Sequence, residues 1–238
     1  MKKPNAHKEP EFKRNSGHKK LDILYEDAYI IVIDKPSGML SVPYPGGSAR
    51  TAIGVLERIM RDKGTYAKHR KPLAVHRLDR DTSGLLVYAK TMEAEQILEH
   101  NWRQIVTDRR YIALASGRME QKKGSVESWL KDNKAYITYS SPVDNGGKYA
   151  VTHFHVLNRN DNYSLVEYKL ETGRKNQIRV HSADMGHPVC GDTKYGNGDD
   201  PIGRLCLHAY VLCFYHPITH VPMTFETPIP ASFHKIIK

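Results

Sequence analysis

The sequence predicts an α+β protein built on a mostly antiparallel mixed sheet with flanking helices. Three observations point there. Short β-rich runs crowd the second half of the chain. Within them Val166, Tyr168 and Leu170 alternate with charged neighbours, the period of a half-buried antiparallel strand. Few segments carry apolar residues at helical spacing, and the second half lacks the β-α alternation that a parallel sheet requires.

Element by element, ILYEDAYIIVIDKPSG reads as an acidic turn, an apolar strand at 30–33 and a Pro-Ser-Gly turn. Ser48 is expected to cap a helix running to about Lys63, with Ala52, Val55, Leu56, Ile59 and Met60 on one face. Arg58, Arg61, Lys63, Lys68, Arg70 and Lys71 form a basic stretch suited to phosphates. PLAVHRLDRDTSGLLVYAK reads as strand, polar loop, strand. Residues 92–106 read as helical, with Ile97, Leu98 and Ile105 inward. Strands follow at 111–115, 136–139, 151–157 and 164–170. A short helix after Thr172-Gly173 carries Ile178 and Met185. GHPVCGDTKYGNGDDPIG is a long glycine-rich loop, and LCLHAYVLCFY and PMTFETPI supply the last strands. No composition break divides residues 21–238, which are expected to form a single catalytic domain.

Lys plus Arg number 36 against 26 Asp plus Glu, a formal net charge of +10 that favours polyanionic partners, most simply nucleic acid. Residues 1–20 hold seven Lys/Arg and two Glu and are expected to form a basic, disordered arm. No run of eighteen apolar residues occurs, so no membrane span is expected. With no apolar leader and three cysteines (Cys190, Cys206, Cys213) outside any C-x-x-C pair, the expectation is a cytoplasmic protein with reduced thiols. No coiled-coil or swapped-arm pattern stands out, so a monomer without an obligate protein partner is expected. His153 and His155 share a strand face without a Cys or carboxylate pair nearby, so no metal site is expected.

The densest chemistry lies in HRLDRDTSG, residues 76–84. Its D-x-D-T order resembles the haloacid dehalogenase family, which would make Asp79 and Asp81 a magnesium-dependent phosphatase pair, with Asp192, Asp199 and Asp200 as imaginable metal ligands. Such enzymes need a parallel sheet. The other reading takes Asp79 as a lone acid in a basic cleft. LETGRKNQIRVH, residues 170–181, brings Arg174, Lys175, Arg179 and His181 to a helix N-terminus suited to anions. If Arg179 faces Asp79 it keeps that carboxylate ionised, a poor general acid but a competent nucleophile or base. A basic RNA-binding module without catalysis is a third possibility.

HRLDRDTSG resembles the signature of the RluA-type pseudouridine synthases. The resemblance spans nearly all of residues 21–230. Leu24 to Gly38 is similar to the family's opening strand and loop, Arg110-Tyr111-Ile112-Ala113 to its K/R-x-Y-x-A element, and TGRKNQIRVH to its T-G-R-x-x-Q-I-R-x-H element. GHPVCGDTKYG and RLCLHAYVLCFYHP follow in order. Asn176 stands where the family usually has His, and no separate S4-like RNA-binding domain is recognised.

The resemblance implies the pseudouridine-synthase catalytic fold with a central cleft, an RNA stem-loop of ribosomal or transfer RNA as substrate, and no cofactor. It implies Asp79 as the essential carboxylate, attacking C1′ or taking a proton from C2′. Tyr111 would lie on the uracil, Arg179 would pair with Asp79, and Arg77 would fill the gap left by the flipped base. His76, Lys35, Arg174, Lys175 and Gln177 are the further RNA-contact candidates. Asp81 is expected to bond the loop backbone or Thr82 and Ser83, and Gly84 to let the chain reverse.

Overall fold

The computed structural model describes residues 21–44 and 50–238. The basic arm expected over residues 1–20 and the expected cap Ser48 lie outside the described residues. Eleven strands form one sheet in the order β1-β2-β4-β10-β5-β9-β8-β6-β7, with β3 added to β4 and β11 to β10. In chain order these are β1 (Asp22–Glu26), β2 (Ile30–Lys35), β3 (Leu73–Ala74), β4 (Ser83–Ala89), β5 (Val106–Ser116), β6 (Lys123–Asp132), β7 (Thr138–Ser141), β8 (Lys148–Arg159), β9 (Tyr163–Leu170), β10 (Leu207–Tyr215) and β11 (Pro222–Glu226). The β4–β10 pair is parallel and the other pairs are antiparallel, as the alternation of β9 predicts.

Helix α1 (Ala52–Asp62) starts at Thr51, whose hydroxyl accepts from the Gly54 amide at 3.1 Å. It buries the five apolar residues read from the sequence. Successive residues of β2 point to opposite faces of the sheet. Ile31 and Ile33 therefore pack toward α1, while Ile30 and Val32 pack toward α2 (Met92–His100). β4 divides likewise, Leu86 and Tyr88 against α1 and Leu85, Val87 and Ala89 against α2. Each fully buried aliphatic side chain contributes about 1.5–3 kcal/mol, so this two-sided packing fixes the strand that leads out of the 76–82 loop.

Several elements differ from expectation. The acidic turn is confined to residues 27–29, where Asp27 accepts the Tyr29 and Ile30 amides, and residues 22–26 are already a strand. The 92–106 helix breaks at Asn101, leaving the four-residue α3 (Trp102–Ile105); Leu98 is buried, whereas Ile97 and Ile105 are half-buried. The sequence reading passed over β6 and the short α5 (Ala231–Ile236). The expected helix after Thr172-Gly173 is α4 (Gln177–Asp184), which buries Ile178. Among the described residues no helix is long and apolar enough to cross a membrane. The three cysteines are free thiols.

Candidate active site

The 76–82 loop is bolted to the turn that follows β2. The Leu78 amide donates to Ser41 Oγ at 3.1 Å, and that hydroxyl donates back to the Leu78 carbonyl at 2.8 Å. The Gly38 amide and Lys35 Nζ both donate to the Arg80 carbonyl, at 3.0 and 3.1 Å, and Ser37 Oγ donates to the Asp81 carbonyl at 2.7 Å. Leu78 is buried, whereas its neighbours Arg77 and Asp79 line a cleft shared with Tyr111, Arg174, Asn176 and Arg179. The cleft encloses about 380 Å³ including its mouth.

Asp79 and Arg179 meet there. Arg179 Nη1 donates to Asp79 Oδ2 at 3.4 Å, the Arg179 side chain 11% and the Asp79 side chain 25% exposed. The stronger partner of Arg179 is one the sequence reading considered only as a metal ligand. Asp192, 1% exposed, takes Nε and Nη2 in a two-pronged pair at 2.7 Å each. Burial works against both charges, but the pairing and the other hydrogen bonds and charges around them together outweigh it. The Asp192 carboxyl is lowered below its ordinary value and the Arg179 guanidinium raised above its own, Asp79 adding to the latter. Asp192 Oδ1 also accepts the Lys194 and Tyr195 amides, at 2.9 and 3.0 Å. The guanidinium is thus oriented by one buried acid and offers its remaining nitrogen to the other.

Asn176 completes this frame. It adopts a left-handed backbone (φ +53), a conformation Asn tolerates better than most residues. Its Oδ1 accepts from Arg179 Nη1 at 3.1 Å and its Nδ2 donates to the Tyr195 hydroxyl at 3.0 Å. Tyr195 lies under the guanidinium, 5.1 Å from its ring centroid. Tyr111 is half-buried in the same cleft. Burial raises the pKa of its phenol, Arg109 pulling it back and Asp79 adding to the rise. The ring therefore faces the cleft as a neutral phenol near neutral pH.

Several expected RNA contacts are spent inside the protein. Lys35 is fully buried and its ammonium donates to the carbonyls of Pro36, Met39 and Arg80, so it has no proton left for a phosphate. Burial pulls its pKa down to about 8, with Asp81, Asp79 and Asp34 opposing. Gln177 is buried too: its Oε1 accepts from Thr172 and the Arg174 amide, and its Nε2 donates to the Val151 carbonyl and the Thr152 hydroxyl. His76 accepts the Val87 amide at 3.1 Å and is driven to about pKa 3 by burial and by Arg109, so it carries no charge for a phosphate. His181 is buried between Ser128 and Thr152 and pushed down to about 4 by burial.

Lys175 is exposed but committed in part to Asp132 and the Tyr136 carbonyl. Arg174 holds the Tyr149 carbonyl through Nε and lines the cleft. Arg77 is exposed at the cleft mouth and makes no hydrogen bond or ion pair with another described residue. Asp81 pairs with its neighbour Arg80 at 3.1 and 3.2 Å and does not bond Thr82 or Ser83. Gly84 does not reverse the chain. It sits in β4 at φ +112, where a Cβ would come 2.1 Å from the Ala209 carbonyl oxygen of β10. Arg110 points away from the cleft to Asp108 and Glu167, while Arg109, on the Tyr111 side of β5, enters the neighbouring groove.

The phosphatase reading fails on this geometry. Its parallel sheet is missing, both oxygens of Asp192 are taken by Arg179, and Asp199 accepts from Ser116 and Tyr163. A carboxylate side chain beside a guanidinium, in a cleft lined by Arg77, Arg174 and Arg179 on a mixed sheet, suits a polyanionic substrate.

Comparison with known proteins names the polyanion. The sequence model of the RNA pseudouridylate synthase family matches residues 29–184. The uncharacterized RNA pseudouridine synthase YjbO of Bacillus subtilis is 41% identical over 221 residues, covering 92% of this chain and 76% of that one. The ribosomal large subunit pseudouridine synthase D of Neisseria meningitidis serogroup A is 36% identical over 229 residues, covering 91% and 60%. The solved structure of human RNA pseudouridylate synthase domain containing 1 superposes with a TM-score of 0.71 at 25% identity, covering 91% of this chain and 86% of that one. The chain belongs to the RNA pseudouridylate synthase family. It is an enzyme that isomerises uridine in RNA to pseudouridine.

Proposed function

We propose that Asp79 is the carboxylate on which the isomerisation depends, with Arg179 as its anchor and Tyr111 as the surface against which the uracil turns. The single observation that carries this reading is the Asp79–Arg179–Asp192 chain: one guanidinium fixed by a buried acid and directed at a cleft-facing one. The reaction breaks N1–C1′, forms C5–C1′, and moves a proton from C5 to N1. No electrons or groups enter from outside, so no cofactor is required. Asp79 acts either on C1′ as nucleophile or on the C2′ proton as base. A uracil inside a helix cannot reach Asp79, so the nucleotide is flipped out. Arg77 is placed to fill its place, two residues from Asp79 and free to stack on bases or bond phosphate.

The substrate is a stem-loop of ribosomal or transfer RNA; the large-subunit specificity in the name of the Neisseria relative makes large-subunit ribosomal RNA the first candidate. We place the enzyme in the cytoplasm as a monomer, residues 21–238 acting as one catalytic unit on one continuous sheet. Mapping pseudouridines across total RNA from cells with and without the gene tests the assignment. Loss of one or a few sites, restored by the wild-type gene and not by Asp79→Asn, is expected; an unchanged map contradicts it.

A further inference from the structure

Next to the catalytic cleft runs a second and larger groove, about 1330 Å³ including its mouth. The two share Arg77, Tyr111 and Arg174 along their common border, so a strand that delivers a nucleotide to Asp79 continues into this groove. Its walls concentrate cations. Arg77, Arg103, Arg109 and Arg174 all line it, and the first three have no carboxylate partner among the described residues. Like charges so close repel one another, and the protein leaves that repulsion without internal compensation: the Arg109 charge depresses His76, and burial with Arg103 lowers Arg174. The lining acids are Glu99 and Glu171, and Glu171 is engaged by His153 at 2.6 Å. Such a groove is matched by a chain of phosphodiesters.

It also contains an aromatic surface. Trp102 lines the groove, half-buried, with the His76 ring packed against it at 4.5 Å between centroids. His76 is itself pinned by the Val87 amide. The Arg109 guanidinium stands 6.0 Å from the indole. A rigid indole among unneutralised guanidiniums has the composition of a base-stacking site, where a π-face takes the base and cations take its phosphates.

We propose that this groove seats a nucleotide flanking the target uridine and that Trp102, braced by His76, is the platform on which its base stacks. The proposal rests on the reading of the chain as an enzyme acting on RNA. Trp102 does not touch the reacting atoms. It is a specificity residue, and its loss weakens recognition while leaving chemistry at saturation intact.

The chain has two tryptophans, Trp102 and Trp129, so Trp129→Phe leaves Trp102 as the one indole reporter. That variant is titrated with unmodified RNA from cells lacking the gene, and pseudouridine formation is followed in the same samples. Saturable quenching of the Trp102 emission is expected. Trp102→Leu, which keeps apolar packing but loses the indole face, is expected to raise the half-saturating RNA concentration about tenfold, within the range of one lost stacking contact, with kcat within about twofold. Trp102→Phe is expected to recover most of the loss. Pseudouridine formation with unmoved fluorescence, or with Trp102→Leu matching wild type, overturns the platform alone. Failure of the wild type to form any pseudouridine brings down the platform and the enzymatic reading together.

Discussion

At the scale of single residues, the site is a carboxylate held through an arginine by a second, hidden carboxylate. Removing one partner of a buried ion pair costs about 3–5 kcal/mol, because the other charge is left uncompensated. Asp192→Asn is therefore expected to lower stability by about 3 kcal/mol in chemical denaturation, and to cut kcat by more than tenfold while Asp79 itself is intact. The pH dependence has a definite sign. The Asp192 carboxyl is depressed below its ordinary 3.8 in the folded protein. Its stabilisation is thus present above 3.8 and lost as pH falls through the lower folded value. The stability gap between wild type and Asp192→Asn should shrink on acidification below that point. A gap that stays constant there contradicts the ion-pair account.

The motifs single out Asp79, Arg179 and Tyr111, and the fold brings the three to one cleft. They do not single out Asp192, because it is one of several acids in a glycine-rich loop and only the fold brings it to Arg179. Lys35 and Gln177 are buried rather than turned to RNA, and for Gln177 the sequence carries no sign of pointing inward. A signal did exist for Lys35, which follows Ile31 and Ile33 at strand period on the side of β2 that packs against α1. The same parity places Arg109, not Arg110, beside Tyr111.

At the scale of elements, the 76–82 loop is held in place by two other segments. The turn after β2 clamps its backbone at Leu78, Arg80 and Asp81, and β10 presses against its exit at Gly84. The sequence revealed both segments but not their contact, since residues 35–41 and 76–84 are joined only by tertiary hydrogen bonds. Gly84→Ala tests the second contact. A methyl group there overlaps the Ala209 backbone, which cannot swing aside as a flexible side chain would. The expected outcome is a loss of at least about 1–3 kcal/mol, the usual cost of overpacking, read as a lower Tm together with reduced turnover. A Tm unchanged from wild type contradicts the close approach of β4 and β10. The omission of β6 has a different cause. Its residues Val126, Ser128 and Leu130 face inward, and a serine in the middle blurs the alternation; that serine is buried because it bonds His181.

At the scale of the whole molecule, half of the net charge of +10 lies in residues 1–20, and part of the rest lines the cleft and its adjoining groove. Part of the expected basic stretch is turned to internal use, with Lys63 paired to Glu26 and Arg61 stacked on Tyr66. Three guanidiniums without a carboxylate partner among the described residues, those of Arg77, Arg103 and Arg109, line the groove beside the cleft. Each phosphate contact adds close to one unit to the salt slope of RNA binding, somewhat less on single strands. Arg77→Ala and Arg174→Ala should each weaken binding and flatten that slope by about one unit, measured by filter binding across a salt series. Unaltered slopes in both variants contradict the placement of RNA along this border.

In the proposed function one side chain, Asp79, carries the chemistry while the basic surface carries the binding. Single-turnover formation of pseudouridine by Asp79→Asn, alongside its RNA affinity, tests that division most directly. The account predicts RNA binding within about threefold of wild type, set by the arginine phosphate contacts, and no product above background. Product formed at a rate approaching wild type would contradict it.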